Sequence, residues 1–84
     1  MFKISIITIS YNAESTIEKT LKSIESQSYD NIEHIIVDGG SQDNTLEICN
    51  LFPHVFKILS EPDNGVYDAF NKGIKLATGD VIGF

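Results

Sequence analysis

The sequence contains one stretch that decides the fold, ISIITISYN at residues 4–12. Its first part is rich in isoleucine and carries no charge, which predicts a strand buried on both faces, as in a parallel sheet. The stretch then ends on three polar residues, Ser10, Tyr11 and Asn12. Because ligands of open α/β sheets bind just beyond the carboxyl ends of the strands, these three residues are the first candidates for a functional site.

Strand and helix patterns alternate along the rest of the chain. Further strands are predicted over residues 33–38, 55–59 and 81–84, and helices over residues 15–27, from 43–45 to 52, and 66–77. The β-α-β-α-β-α-β order is typical of a parallel sheet with right-handed crossovers, so the predicted fold class is α/β. Because an apolar fourth strand comes last, residues 1–84 are expected to be a single partial domain, truncated after that strand.

Local signals mark the ends of the predicted helices. Ser15 and Glu18 have the spacing of a capping box at the start of the first helix. Pro53 ends the second helix, and Gly79 is a suitable C-terminal cap for the third. Inside the third helix, Gly73 indicates close packing against a neighbouring element.

The composition excludes several classes of protein. A net charge of -6 argues against binding to nucleic-acid backbones or anionic membranes, because no basic patch is available to displace counterions. The single cysteine, Cys49, cannot form an intrachain disulfide, is expected to be buried, and fits a reducing compartment. The sequence shows neither a signal-peptide pattern nor a membrane-span pattern, so the expected location is the cytoplasm, with the inner face of the cell membrane as an alternative.

Polar residues follow each of the first three predicted strands. Residues 10–12 follow the first strand, Asp38 and a glycine loop follow the second, and residues 61–65 follow the third. One edge of a parallel sheet would gather all three groups. The sequence lacks the P-loop, dinucleotide-binding and nucleophile-elbow patterns, and it has too few cysteines and histidines for a structural zinc site. A phospho-receiver would need acidic residues after the first strand, where Ser10 and Tyr11 stand.

Four motifs, in order, resemble the N-terminal part of glycosyltransferase family 2. They are SIITISYN at residues 5–12, IVDGGSQDNT at residues 36–45, DNG through NKG at residues 63–73, and ATGD at residues 77–80. The resemblance covers essentially the whole chain and is nearest to bacterial members that build cell-surface polysaccharides. It implies the GT-A fold and inverting transfer of a hexose from a nucleotide-diphosphate sugar, with UDP as the expected nucleotide, to a glycan or lipid-linked acceptor.

The resemblance also implies which residues bind the donor. Tyr11 would lie against the base, a contact worth about 1–3 kcal/mol, and Asp38 would accept a hydrogen bond from the uracil ring N–H. The other implied contacts are Ile9, Ser10, Asn12 and Glu14 beside the base and ribose, and Asp63, Asn64 and Asn71 near the diphosphate.

The resemblance implies a divalent cation, Mg²⁺ or Mn²⁺, that stabilises the leaving diphosphate. Its acidic ligands are expected just after Phe84, so neither a metal ligand nor a catalytic residue is expected within this chain. The 84-residue chain would then carry the donor-binding part of the enzyme and be inactive alone. Contacts with the acceptor or with a membrane are expected only through parts outside this chain.

Simpler interpretations stay open for several residues. Tyr11 would otherwise pack on the first helix, Asp38 would cap the loop after it, and Asp63 would belong to a solvated acidic surface. Non-functional roles are predicted for Asp43 and Thr45 at a helix start, His34 in a strand, His54 in solvent and Asp80 in a turn. For the whole chain, the alternatives are a non-catalytic nucleotide-binding module and a receiver-type interaction domain.

Overall fold

The computed structural model describes residues 3–26 and 31–83, which form a four-stranded parallel sheet with helices packed on both faces. The strands are β1 (Ile4–Ser10), β2 (Ile32–Asp38), β3 (Val55–Ser60) and β4 (Val81–Gly83), and the helices are α1 (Ile17–Glu25), α2 (Thr45–Cys49) and α3 (Val66–Leu76). The strand order is β3-β2-β1-β4, and the predicted α/β class and element order are confirmed. The predicted helix end at residue 27 and the predicted strand residue Phe84 lie outside the described residues.

The strand register brings the carboxyl ends of β1, β2 and β3 side by side. Ser10 pairs with Asp38, and Asp38 pairs with Ser60. The loops continue this alignment, since the Gly39 amide donates to the Ser10 carbonyl (2.9 Å) and the Glu61 amide donates to the Asp38 carbonyl (3.0 Å). The three loops that follow these strands therefore start from one edge of the sheet, as predicted.

Two apolar clusters attach the helices to opposite faces of the sheet. In one cluster, Ala69 of α3 packs on Ile7, Ile35 and Val37 of the sheet, and in the other, Ile17 and Leu21 of α1 and Cys49 of α2 pack on Ile36. Successive residues of β2 alternate between the two clusters because side chains of a strand point alternately to its two faces. The prediction that Cys49 is buried is confirmed.

Burial is most complete along β2. All residues from Glu33 to Asp38 are buried, whereas Ile4, Ile6, Thr8 and Ile9 of β1 are half-buried. The prediction that the first strand is buried on both faces is therefore wrong for β1. Among the described residues, β4 pairs with residues 4–6 of β1, and Thr8 and Ile9 lie beyond these pairs.

The helix ends differ from the sequence prediction. α1 begins after Thr16, which makes no side-chain capping hydrogen bond, and Glu18 pairs with Lys22 (3.4 Å) instead of reaching back. The predicted capping box is therefore wrong. α2 is shorter than predicted because the residues after Cys49 tighten into turns, in which the Leu51 amide bonds back three residues rather than four.

None of the helices in the described part of the chain has the length and apolar character needed to cross a membrane.

Two glycines allow close approach of neighbouring elements. A Cβ atom on Gly73 would lie 2.5 Å from Cγ2 of Ile7, so the predicted close packing of α3 is confirmed. Gly79 is not the helix cap, because Ala77 holds the C-cap position. A Cβ atom on Gly79 would lie 2.5 Å from Ser5 Oγ and 2.8 Å from the Lys3 carbonyl oxygen. Gly79 therefore lets the turn before β4 lie against the main chain of β1.

Gly79→Ala is expected to lower the free energy of unfolding by about 1–3 kcal/mol, because the new methyl group overlaps atoms that cannot easily move. Gly83→Ala is the matched control, since its Cβ would lie 4.0 Å from its nearest neighbour, Ile6 Cγ1. Denaturant unfolding of the natural protein measures both changes. Equal effects of the two substitutions would contradict the packing role of Gly79.

A buried carboxylate, Glu33, joins the amino-terminal edge of the sheet to the turn before β4. Its oxygens accept hydrogen bonds from Ser5 Oγ (2.6 Å), Thr78 N (2.8 Å) and Thr78 Oγ1 (2.7 Å), and Lys3 Nζ lies 3.5 Å away. Burial alone would raise the pKa of Glu33, but these hydrogen bonds and the Lys3 charge lower it to about 2. The turn itself contains Asp80, as predicted, and Asp80 accepts a hydrogen bond from the Lys3 amide (3.0 Å).

The rings of His34 and His54 stack with their centroids 5.4 Å apart. His34 is fully buried within β2, which confirms its predicted role as a strand residue. The prediction that His54 is solvated is wrong, because only 21% of its side chain is exposed. Phe52 contacts the His54 ring edge-on (5.8 Å), so the turns after α2 hold this ring against β2.

Candidate functional site

A cavity of about 310 Å³ lies at the carboxyl edge of the sheet, between the end of β1 and the start of α3. Its walls are Ile9, Ser10 and Tyr11 from the end of β1, Asp63 and Gly65 from the loop after β3, and Val66 and Ala69 from the first turn of α3. This location is the one expected for the ligand site of an open α/β sheet. The volume falls within the range of small-molecule pockets.

Tyr11 and Asp63 give the cavity its chemical character. Tyr11 is 61% exposed and lines the cavity, so its aromatic ring is accessible to a ligand. Among the described residues that line the cavity, Asp63 is the only acidic one. One of its oxygens, Oδ1, accepts a hydrogen bond from the Gly65 amide (3.1 Å) at the start of α3. Of the predicted site residues, the structure therefore brings Ile9, Ser10, Tyr11 and Asp63 together.

Asp38 does not line this cavity, although it stands at the same edge of the sheet. It is fully buried, and its carboxylate accepts five hydrogen bonds from the protein. The hydroxyl donors are Ser10 (2.8 Å), Ser41 (2.6 Å) and Ser60 (3.0 Å), and the amide donors are Gly40 (3.0 Å) and Ser41 (2.7 Å). Since a carboxylate offers about four lone-pair positions, its acceptor capacity is already used within the protein.

The electrostatics of Asp38 follow from this network. Burial alone would raise its pKa, but the hydrogen bonds from Ser41, Ser10 and Ser60 outweigh that effect and lower the pKa below its ordinary value of 3.8. Asp38 is therefore ionised at neutral pH. The hydrogen bonds to its carboxylate join the ends of β1 and β3 to the loop that follows β2.

Asn12 and Glu14 tie the loop after β1 to the loop after β2. Asn12 adopts a left-handed conformation (φ 47°), donates its amide to Ser41 Oγ (2.8 Å) and accepts from the Gln42 amide through Oδ1 (2.8 Å). The Glu14 amide donates to Asp43 Oδ2 (3.2 Å), while the Glu14 side chain is exposed. Both residues shape the rim near Tyr11 without lining the cavity.

The start of α2 has the structural role predicted for it. Asp43 Oδ1 accepts hydrogen bonds from the amide (3.0 Å) and the hydroxyl of Thr45. The Thr45 hydroxyl oxygen accepts in turn from the Ala13 amide (2.8 Å). Asp43 and Thr45 are therefore used in holding two loops together.

Asn64 and Asn71 are exposed and lie outside the cavity wall. The Asn64 amide donates to Asp68 Oδ2 (2.9 Å), which orders the start of α3. Lys72 adds a second restraint, since its Nζ donates to the Pro62 carbonyl (2.9 Å) and lies 3.3 Å from Glu61 Oε1. The loop that carries Asp63 is thus fixed from both sides.

Sequence reasoning missed three residues that organise the site. Ser41 and Ser60 hold the Asp38 carboxylate, and Gly39 provides space beneath the cavity wall. A Cβ atom on Gly39 would lie 2.9 Å from Asp63 Oδ2 and 3.5 Å from Tyr11 Cδ1. The glycine pair after Asp38 was a signal for such close approach, but it does not say which side chains approach.

Within residues 3–26 and 31–83, no three histidine, cysteine or acidic side chains come close enough together to hold a metal ion. These residues therefore do not form a site for the divalent cation that the resemblance implies.

Solved structures with a similar fold include a mannosyltransferase. The mannosyltransferase PcManGT from Pyrobaculum calidifontis, in complex with GDP-Man and Mn²⁺, matches with a TM-score of 0.88 at 27% identity, over 96% of this chain and 26% of that protein. TarS of S. aureus also matches with a TM-score of 0.88 at 27% identity, over 95% of this chain and 26% of that one. The chain therefore has the GT-A fold of nucleotide-sugar transferases.

The family follows from the sequence comparison. The family model described as "Glycosyl transferase family 2" matches residues 5–84, and the chain therefore belongs to glycosyltransferase family 2. An uncharacterised glycosyltransferase of Mycobacterium tuberculosis is 43% identical over 83 residues, covering 96% of this chain and 32% of the relative. A PGL/p-HBAD biosynthesis glycosyltransferase of Mycobacterium bovis is also 43% identical over 83 residues, covering 94% and 32%. The chain spans about a third of the length of these relatives.

Proposed function

We propose that this chain binds the nucleoside-diphosphate part of a sugar donor, expected to be UDP-linked. The sugar would pass, with inversion and as a hexose, to a glycan or lipid-linked acceptor in cell-surface polysaccharide biosynthesis. The observation that carries this proposal is the exposed ring of Tyr11 beside Asp63, in a cavity at the carboxyl edge of the sheet. Residues 1–84 would form the donor-binding portion of a larger catalytic domain, acting in the cytoplasm or at the inner face of the cell membrane.

The cavity has the chemistry that a nucleoside needs. Ile9, Val66 and Ala69 form an apolar wall, and Tyr11 offers a flat aromatic face. A base stacked on such a face gains about 1–3 kcal/mol. The family resemblance also supports a contact between Ser10 and the ribose of the donor.

The resemblance supports further proposed contacts with the donor. Asn12 and Glu14 would act through the loop that they hold. Asn64 and Asn71, which are exposed, would contact the diphosphate of the donor. For Asp38, the resemblance supports a hydrogen bond from the uracil ring N–H, and the same carboxylate fixes Ser10 and the loop after β2.

The comparisons support the kinds of ligand proposed. PcManGT is a mannosyltransferase in complex with GDP-Man and Mn²⁺, which supports a nucleotide-sugar donor and a divalent cation for the whole enzyme. The mycobacterial relative named for PGL/p-HBAD biosynthesis supports a biosynthetic role. The cation, Mg²⁺ or Mn²⁺, would be held by acidic residues beyond Phe84 and would stabilise the leaving diphosphate.

Tyr11→Ala is expected to weaken UDP binding about 5- to 150-fold, the equivalent of losing a stacking contact of about 1–3 kcal/mol. Titration calorimetry of the natural protein measures the affinity. Tyr67→Ala is the matched control, because Tyr67 is 86% exposed and does not line the cavity. Equal UDP affinities for Tyr11→Ala and the wild type would contradict the proposed nucleotide pocket.

A further inference from the structure

We infer that Lys72 is a positioning residue for the donor, because it holds the loop after β3 in the shape that completes the cavity. This loop, residues 61–65, supplies Asp63 and Gly65 to the cavity wall, whereas Lys72 lies outside it. The inference rests on the proposed function, since the ligand concerned is the nucleotide. It goes further by assigning part of the affinity to a side chain that does not contact the ligand.

The ammonium group of Lys72 is the common partner of the loop and of helix α3. Its Nζ donates a hydrogen bond to the Pro62 carbonyl (2.9 Å). The same atom lies 3.3 Å from Glu61 Oε1 and 3.5 Å from Asp68 Oδ2. A lysine carries three N–H donors, so these oxygens can occupy all of them. Only 19% of the Lys72 side chain is exposed, which distinguishes it from a fully solvated lysine, whose ion pairs contribute little.

Asp68 extends this restraint to the far side of the loop. Its Oδ2 faces Lys72 and also accepts a hydrogen bond from the Asn64 amide (2.9 Å). The main chain is therefore held at Pro62 and at Asn64, on both sides of Asp63. The wall residue between these two points has its position set by groups that are not in the cavity.

The position of Lys72 is itself fixed against the sheet. The next residue, Gly73, is buried, and a Cβ atom there would lie 2.5 Å from Cγ2 of Ile7 in β1. This close contact fixes α3 relative to β1, the strand that leads to Tyr11 in the cavity wall. Lys72 therefore sets the position of the loop relative to Tyr11.

A loop without this attachment would have to be ordered when the ligand binds. Ordering the main chain of a single residue lowers affinity about tenfold. A loop that is already held in its binding conformation does not incur this cost at the moment of binding. Lys72 is thus expected to raise affinity through the shape of the free protein.

The decisive experiment measures the affinities of Lys72→Met for UDP and for uridine by titration calorimetry of the natural protein. Methionine keeps an unbranched apolar side chain but has no N–H donor. Both affinities should fall about tenfold, because a displaced cavity wall affects the nucleoside and the nucleotide alike. Lys72→Arg, which keeps the charge and N–H donors, should recover part of the lost affinity.

A control variant and a local measurement make the result specific. Lys75→Met removes an exposed lysine from the same helix and should bind both ligands as the wild type does. Hydrogen exchange of the free protein reports on the loop directly. In Lys72→Met the Asn64 amide should exchange faster, while the amides of β2 keep their protection.

The outcomes separate positioning from other roles of Lys72. Wild-type affinities of Lys72→Met for both ligands would overturn the inference. A loss of affinity for UDP alone would also overturn it, since Lys72 would then contact the diphosphate directly. Faster exchange throughout Lys72→Met would overturn it as well, because Lys72 would then stabilise the whole fold. A wild type that binds neither UDP nor uridine would overturn the proposed function itself.

Discussion

Asp38→Ala is expected to lower the free energy of unfolding by about 3–5 kcal/mol, as when a buried charge network loses one partner. The substitution leaves five donors without their acceptor, and each buried polar group left unsatisfied costs about 1–3 kcal/mol before the structure relaxes. Because these donors come from Ser10, Ser60 and the loop after β2, three chain segments lose their common attachment.

Denaturant unfolding of the natural protein at neutral pH measures this effect. Asp80→Ala is the matched control, because Asp80 is exposed and accepts a hydrogen bond from the Lys3 amide. Its expected cost is about 1 kcal/mol or less. If both substitutions lower stability by the same amount, the Asp38 network does not hold the three segments together.

The fold was predictable because its signals are local in the sequence. The isoleucine-rich run of β1, the apolar run of β2 and the spacing in α3 each need only a short window of residues. The alternation of strands and helices then fixes a parallel sheet. The helix ends were less predictable, since Ser15 and Glu18 match a capping pattern but the chain starts α1 one residue later, after Thr16.

The site was predictable in location and only partly in detail. Tyr11 and Asp63 follow strands that end at the same edge, and that much can be read from the sequence. The partners of Asp38 cannot be read from the sequence, because Ser60 reaches Asp38 only through the register between β2 and β3. The same holds for Gly79, whose contact with Ser5 joins residues far apart in the chain.

Acidification from pH 7 to pH 5 is expected to lower the free energy of unfolding by about 2 kcal/mol through His34. Burial, and then the charge of His54, lower the pKa of His34 from 6.5 to about 4. The unfolded chain therefore binds a proton near pH 6.5, whereas the folded chain binds it only near pH 4. The contribution is complete above pH 6.5 and is lost as the pH falls towards 4, where the total loss reaches about 3 kcal/mol.

The groups that face His34 include a hydroxyl and a second imidazole. Its Nε2 shares a hydrogen bond with Thr8 Oγ1 (2.8 Å), and its Nδ1 lies 3.3 Å from Nε2 of His54. The nearby carboxylate is that of Glu25, with Oε2 3.8 Å from His54 Nδ1. The Glu33 carboxylate also contributes to the free energy of unfolding. It loses this stabilising effect only at lower pH, between pH 4.5 and about 2.

Denaturant unfolding at pH 7 and pH 5 tests this expectation with two single variants. His34→Gln removes the titrating group while keeping an amide that can bond to Thr8, so its stability should change by less than about 0.5 kcal/mol between the two pH values. His54→Gln keeps His34 and its burial and should retain most of the acid loss. An acid loss in His34→Gln as large as in the wild type would place the pH sensitivity elsewhere. If His34→Gln abolishes the acid loss and His54→Gln does not, acid destabilises the protein through β2. This strand carries core residues of both apolar clusters as well as Asp38.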